Sequence, residues 1–517
     1  MRHISGSDRA QSLLLPASVE DYVGEDNPVR AIEAFVDGFD LAKAGFVRAQ
    51  AKDTGRPGYH PGDLLKLYLY GYLNRVRSSH RLEAECHRTL EVLWLLRGLR
   101  PDFKTIADFQ RENAPAFKAA FRHFVVLCRQ LDLFGRELLA IDGTRLKTVN
   151  STERNFTREK LKTMLANADA RLAELAKADD QDASPAAGTS PVKNLAEKSA
   201  TLQQRRDEYA AVATELERTG ESQVSLTDPD SRAMATYPKV GVGYNAQVAV
   251  DAKHKLIVEQ EVTNAGSDPG QLAPTAIPAK EILGVETIAA TADRGYYKGE
   301  DIAACAAAGI TAFVPKALGR GAAASNGRFP REAFLYDAAT DVYRCPNGET
   351  LSRQGTSTTR GHRLLLYFHP SACRRCPLRT QCTSNSRWRR IARWEGEAVL
   401  DAMAARLAAN PQMTRLGHNT VEHPFGTIKH AMNQGHFLMK GLRQVRAEFS
   451  LSTLAYNLLR VINIVGVKAL VKALRRRWRA LGRPCGCAHD LRGWFYGGVF
   501  ARIVRREKNF VGAGLPA

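Results

Sequence analysis

Two aspartates stand out by where they fall. In RELLAIDGTRLKTV an apolar run leads into Asp142 and Gly143, and in VETIAATADRGYY another leads into Asp293 with Gly295 just beyond. Each pattern reads as a short buried strand delivering one acid to its end. Acids placed in this way suit phosphodiester chemistry, which needs charge neutralisation and in-line positioning; two divalent ions about 3.5–4 Å apart supply both. Magnesium keeps several waters and takes a few carboxylates plus substrate phosphate, so three acids drawn from distant positions suffice. An aspartate at a strand end is equally a turn residue or a helix cap, and neither residue decides the matter by itself.

A second constellation is made of thiols. Cys345 stands in YRCPNG, and Cys373, Cys376 and Cys382 stand in CRRCPLRTQC. One close pair and two further thiols could complete a structural tetrahedral zinc site, although the spacing is irregular for a zinc ribbon and free or redox-active thiols fit it as well. Arg374, Arg375, Arg379, Arg387, Arg389 and Arg390 surround them and would suit a DNA-facing surface. By contrast, Cys86, Cys128 and Cys305 stand singly in apolar or alanine-rich surroundings, as buried thiols do, which points to a reducing compartment.

The chain has 517 residues, enough for several domains and a sizeable core without disulfide staples. Its 74 Lys and Arg exceed its 54 Asp and Glu by 20. That balance fits a polyanionic partner such as nucleic acid, or simply a solvated basic surface. The amino terminus carries an apolar run of only three leucines, and no stretch reaches the roughly 18 apolar residues of a membrane span. A soluble cytoplasmic protein without a membrane partner is expected.

The elements that must position the two acids are legible from periodicity. Residues 61–99 and 105–133 repeat apolar residues at helical spacing, broken at Arg77-Ser78-Ser79-His80, and read as an all-helical domain. Arg75, Arg77, His80, Arg81 and Arg88 load its turn and second helix, as a helix-turn-helix-like unit would for DNA phosphates; a solvated helix face reads the same. Residues 155–218 read as a helical hairpin inserted after the first strand. GVGYNAQVAVDAKHKLIVEQEVT reads as an antiparallel strand pair, followed by a helix over about 269–283, the strand before Asp293, a further helix and the strand ITAFVP. This β, β, β, α, β, α, β series predicts a mixed sheet with helices on its faces, an α/β core within an α+β chain, for which the ribonuclease H-like arrangement is one solution. Between Ser325 and Arg393 the helical signal fades; helices resume beyond it and end strongly basic, with Arg475–Arg479 reading as a solvated basic helix.

The segment TVEHPFGTIKHAMNQGHFLMKGLRQVRAEFSLSTLAYNLLRVINI resembles the carboxyl-terminal signature of bacterial insertion-sequence DDE transposases with an InsH-like amino-terminal domain. YHPGDLLKLYLYGYLNRVRSSHRLEAECHRTLEVLWLLRGLRPDFKTIADFQREN resembles that domain, and IDGTRLK and TADRGYY resemble the two aspartate motifs. The likeness runs in order from about residue 15 to residue 465. It implies that Asp142, Asp293 and Glu422 are the DDE acids, binding two Mg²⁺ ions that Mn²⁺ can replace, in a ribonuclease H-like domain. It further implies cleavage at terminal inverted repeats, strand transfer into target DNA, and a homodimer or larger assembly on DNA, in the bacterial cytoplasm near the nucleoid. The corresponding division is a helical DNA-binding domain at 1–135, a catalytic domain at 136–465 and a basic tail at 466–517. The catalytic domain carries a helical-hairpin insertion at 155–220 and a Cys-rich insertion at 325–393.

Around those acids, Arg415 and Lys429 each lie seven residues from Glu422, two helical turns away, and would face DNA phosphate on the same side. Transposases that it resembles often carry arginine four residues before the glutamate, where this chain has His418. Pro424 would be tolerated if Thr420 were an N-cap and the helix began there, in which case Glu422 could equally be a dipole-favoured helix start. Arg294, Tyr296 and Tyr297 could hold a backbone phosphate or an unstacked base, or serve as packing residues. A catalytically inactive DNA-binding relative and a hydrolytic nuclease of the same fold are the alternatives to a transposase.

Overall fold

The helical spacing upstream of the first aspartate resolves into helices in the computed structural model, which describes residues 18–50, 57–151, 154–181, 191–221, 223–236, 239–316, 327–359 and 361–480. They are α1 (Pro28–Asp37), α2 (Pro61–Leu73), α3 (Ser79–Arg88), α4 (Leu90–Leu95), α5 (Phe103–Glu112) and α6 (Ala114–Gln130). Local chemistry sets the starts. Asn27 accepts from the Val29 amide, Asp102 from those of Lys104 and Thr105, and Pro28 and Pro61 occupy first-turn positions that need no amide donor. α2 is apolar nearly all round and is buried from Pro61 to Tyr72; even Lys66 is inside, its ammonium on Asp37 at 2.5 Å.

The chain then enters a mixed sheet. Its strands are β1 (Leu138–Lys147), β4 (Arg232–Thr236), β5 (Lys239–Asp251), β6 (Ile257–Thr263), β7 (Ile288–Ala292) and β8 (Ile310–Phe313); the intervening β2 and β3 belong to an insertion. β6 pairs antiparallel with β5 and β5 antiparallel with β1, while β1, β7 and β8 run parallel. β4 continues the pairing at the start of β5. Helices α9 (Leu272–Leu283) and α10 (Gly299–Ala307) make the crossovers that parallel neighbours require. The mixed sheet and the predicted element series are therefore present.

Two insertions interrupt this order. Strands β2 (Asn155–Thr157) and β3 (Gln223–Ser225) pair at the base of α7 (Arg158–Gln181) and α8 (Pro191–Thr219), which lie against one another over Phe156, Leu161 and Leu216. The second insertion, expected as a Cys-rich region without helical signal, is a five-stranded antiparallel sheet: Leu335–Asp337, Val342–Arg344, Thr350–Thr359, His362–Phe368 and Ile391–Trp394. It has its own small core of Phe334, Tyr343, Leu351, Tyr367 and Ile391.

Beyond it come helices Glu397–Ala409, Gln412–Gly426, Leu442–Val465 and Val467–Ala480. The third is buried through its middle and packs on both α6 and β6, so the amino-terminal helices and the sheet share one continuous core. After Gly466, with φ +80°, the chain turns and the last helix lies on α1. Trp478 is 1% exposed, and its indole donates to the Ala34 carbonyl at 3.0 Å. This segment, expected to open a solvated basic tail, thus buries an apolar face. Among the described residues no single helix is long and apolar enough to cross a membrane; the last two together pass by length and composition but meet at 109°. The short sequence CGCAH at residues 485–489, too isolated to mark a site, lies outside the described residues.

Candidate active site

The register between β1 and β7 fixes the central geometry. Ile141 pairs with Ala292, the last residue of β7, so the next positions along two parallel strands are Asp142 and Asp293. β1 does not end at Asp142, as its sequence suggested, but runs on to Lys147 against β5. What ends there is the pairing with β7, so both aspartates are carried at the point where the two strands part. Asp142 Oδ1 accepts from the Gly143 amide at 2.7 Å, and Asp293 Oδ1 from the Gly295 amide at 2.8 Å.

Electrostatics follow from that crowding. Burial pushes the Asp142 carboxyl up to about 7, and the charges of Asp293 and Asp268 add to it; the Gly143 amide and His418 oppose the rise. Asp293 is raised too, first by lost hydration and then by Asp268. Asp268, which sequence reasoning missed, lies in the turn between β6 and α9. It accepts from Asn245 Nδ2 at 2.7 Å and Gln247 Nε2 at 3.1 Å, and Arg145 stands 3.7 Å away. The available signal was the pair Asn245 and Gln247, two residues apart on one face of an otherwise apolar strand.

Glu422 arrives on the Gln412–Gly426 helix, which packs across β1 and β7. Gly417, Thr420, Val421 and Pro424 are buried on one side of it. The helix starts eight residues before Thr420, whose hydroxyl donates to the Leu416 carbonyl at 2.8 Å and caps nothing, so Glu422 is not at a helix start. Pro424 is accommodated near the other end, where the helix passes into a π-helical turn over Thr427–Ala431. Arg415, His418 and Glu422 fall on one strip of the helix. His418 Nδ1 meets Glu422 Oε1 at 3.2 Å, with both side chains largely exposed. His418 and Lys429 both interact with the charge of Asp142, and Glu422 lies between them in the chain. Lys429 is part-buried and its pKa is lowered, burial outweighing the pull of Asp142. Among the described residues, no three of His, Cys, Asp or Glu close around a single metal position. Asp142 and Asp293 are together, while Glu422 is turned to His418.

Several expected DNA contacts separate on burial. Arg75, Arg81, Arg294 and Arg415 are exposed. Arg77 is not available: it donates to the His436 carbonyl at 2.8 Å and pairs with Glu448 at 3.2 Å, with side-chain exposures of 7% and 1%. Tyr296 is not available either, being fully buried with its hydroxyl donating to Gln247 Oε1; it supports the pocket instead of meeting a base. Arg88 pairs with Glu85, and His80 stacks on Phe103 with centroids 4.0 Å apart. Tyr297 is part-buried.

The thiols of Cys345, Cys373, Cys376 and Cys382 are all free and part-buried, and Cys345 and Cys382 pack on the small sheet's core. The Cys382 thiol is raised by burial, with Arg389 opposing and the other three thiols adding, so the four share one neighbourhood. Of the arginines around them, Arg374, Arg375, Arg387 and Arg390 are exposed, whereas Arg389 donates to the Cys382 carbonyl at 3.2 Å and lies over the Phe334 ring.

Residues 17–112 match the family described as a transposase domain, DUF772, which spans α1 to α5. Residues 344–462 match the transposase DDE domain, a segment that contains the four thiols and Glu422 but neither Asp142 nor Asp293. No curated protein and no solved structure matches the chain. The two matched domains, in this order, indicate an insertion-sequence DDE transposase.

Proposed function

We propose that this transposase binds the terminal inverted repeats of its element and carries out two-metal strand cleavage and strand transfer at Asp142, Asp293 and Glu422. The observation that carries the reading is the β1–β7 register, which sets Asp142 beside Asp293 where the two strands part. The donor set is carboxylate oxygen, the chemistry that Mg²⁺ takes and Mn²⁺ tolerates, and a cation would offset the lost hydration and the neighbouring Asp268 charge that raise both aspartates. Strands arranged β6, β5, β1, β7, β8 with only β5 antiparallel to its neighbours fit a ribonuclease H-like core.

In this reading Asp142 and Asp293 would hold the ions, and Glu422 would join them on leaving His418. Bound divalent ions supply an activated water or hydroxyl and neutralise charge at the leaving oxygen. The chain's own part is positioning. Lys429 stands near Asp142 and neutralises a phosphate there, with Arg415 further along the same helix. Arg294, Arg75 and Arg81 offer exposed cations to the backbone of the DNA. Two ends must meet, which favours a dimer or larger assembly on DNA. In the small sheet the four neighbouring thiols would, on closing together, hold a structural zinc ion with no part in the chemistry.

The test is incubation of purified protein with labelled element ends, with and without Mg²⁺, scored for nicks and for joined products. Metal-dependent nicking followed by joining is expected, and Asp142→Asn, Asp293→Asn and Glu422→Gln each abolish it while end binding persists. Nicks without joining would make the protein a hydrolytic nuclease, and binding without nicks an inactive relative.

A further inference from the structure

We propose that Asp268 is a fourth carboxylate of the divalent-cation pocket, held there by Asn245, whose own amide oxygen faces the cation or its water. The proposal rests on the two-metal reading above and adds to it two residues outside the DDE set.

Position is the first argument. A Cβ built on Gly143 would lie 3.0 Å from Asp268 Oδ1, and one built on Gly295 would lie 3.5 Å from Asp268 Oδ2 and 3.0 Å from Asp293 Oδ1. The Asp268 carboxylate therefore lies close to both Gly143, which follows Asp142, and Gly295, two residues after Asp293: a Cβ at Gly143 would crowd it and one at Gly295 would touch it. Asp268 also does not serve the bland role of its sequence context, the start of a helix. Only its backbone carbonyl receives the Gln271 amide, and the Leu272 amide at the start of α9 goes to Asp301 at 3.2 Å.

The second argument is independent of acid clustering. Asn245 is 1% exposed, and its Oδ1 has no hydrogen-bond partner. A buried amide oxygen left unpaired costs roughly 1–3 kcal/mol. Exchanging its oxygen and nitrogen would not remove the problem, because the amide nitrogen must donate to Asp268 at 2.7 Å and an oxygen there would face a carboxylate. Asp268 thus forces the orphan oxygen, which lies 2.9 Å from the same built Gly143 Cβ as the carboxylate does. Both amides bond to Asp268 Oδ1, leaving Oδ2 with Arg145 at 3.7 Å. A carboxylate oxygen whose one partner is a guanidinium at 3.7 Å and an orphan amide oxygen at one place are hard ligands for a hard cation or acceptors for its water.

The experiment is Mn²⁺ titration of the full-length protein without DNA, by calorimetry, for the wild type, D268N, D268E and D142N. We expect D268N to bind Mn²⁺ at least tenfold more weakly, D268E to recover part of the loss, and the metal-free melting temperature of D268N to be no lower than that of the wild type. A folded D268N with Mn²⁺ affinity within twofold of the wild type would overturn the proposal. Should D268N not fold, Fe²⁺-directed hydroxyl-radical cleavage of the wild-type chain decides: cuts beside Asp268 as well as beside Asp142 and Asp293 support it, and their absence at Asp268 rejects it. If D142N also leaves Mn²⁺ binding unchanged, the two-metal reading fails; if only D268N does, this inference alone fails.

Discussion

Gly417 lies against Thr291, so closely that a Cβ on the glycine would sit 2.6 Å from Thr291 Cγ2 and 2.9 Å from its Oγ1. Thr291 is two residues before Asp293, and Gly417 is five before Glu422, so this contact sets how closely the glutamate's helix approaches the aspartate's strand. Gly417→Val should lift the helix while leaving every acid in place. Displacements of about 1 Å in a positioned site can cost on the order of 100-fold in rate. We expect cleavage of labelled ends to fall by about that factor, with binding of the same DNA, measured by gel shift, changed less than threefold. Normal cleavage by the variant would show that the helix does not position Glu422.

A second long-range pair joins the amino-terminal helices to the carboxyl-terminal half. Arg77 meets Glu448, which also accepts from the Leu438 and Met439 amides and is raised by burial despite all three partners. Arg77→Ala leaves that buried carboxylate short of its cation, a loss of about 3–5 kcal/mol in comparable pairs. Urea denaturation should show it as a large fall in midpoint. Arg75→Ala and Arg81→Ala, at exposed positions, should change stability by less than about 0.5 kcal/mol. Each should instead weaken end binding and reduce its salt dependence by about one ion.

Arg75, Arg77 and Arg81 show what the sequence could and could not convey. All three sit in one basic stretch, and nothing local separates Arg77 from its neighbours, because its partner Glu448 is 371 residues away. Periodicity identified the helices from residue 61 onward and the order of the main strands, since burial on one face imposes it directly, but it missed α1 and β4. It did not extend β1 past Asp142, because Gly143-Thr144-Arg145 breaks the apolar run although β5 still pairs with it. The small sheet escaped for a related reason: its strands carry Arg, Thr, Ser and Gly on largely exposed faces, and only five residues form its core. Asp142 and Asp293 were legible as strand-borne acids. Asp268 was not, because its role depends on the fold bringing a turn between two strand ends.

The thiols offer a prediction that needs no DNA. The small core beneath Cys345 and Cys382 is slight, and a metal would supply what it lacks. Purified protein should carry about one zinc per chain by elemental analysis, and Cys373→Ser or Cys376→Ser should lose it. Trp388, stacked on Phe368 with centroids 5.4 Å apart, provides a fluorescence probe of the sheet. Chelation should shift its emission towards the red. Four freely titrating thiols in a metal-free protein with unchanged emission would remove zinc from the description.

The acidity of Asp142 gives a pH dependence of definite sign. Its folded pKa, about 7, lies above the ordinary 3.8, so the folded state holds a proton more tightly than the unfolded chain does. Stability from this group is fully present below the ordinary value, declines as pH rises, and is gone once pH passes the folded value. Asp293, also raised, acts in the same direction. The metal-free protein should therefore melt at a lower temperature at pH 8 than at pH 5, by at most about 1.4 kcal/mol per unit of this one shift. Asp142→Asn removes the buried charge, so the metal-free variant should melt higher than the wild type at pH 8, the gap growing from about pH 4 and levelling near 7. Mg²⁺ should raise the wild type more than the variant, because the cation offsets the cost of a poorly hydrated charge that the variant no longer has. Scanning calorimetry across pH 4–8 with and without Mg²⁺ tests this. If the two proteins ran parallel, the charge of Asp142 would not be the source of the strain.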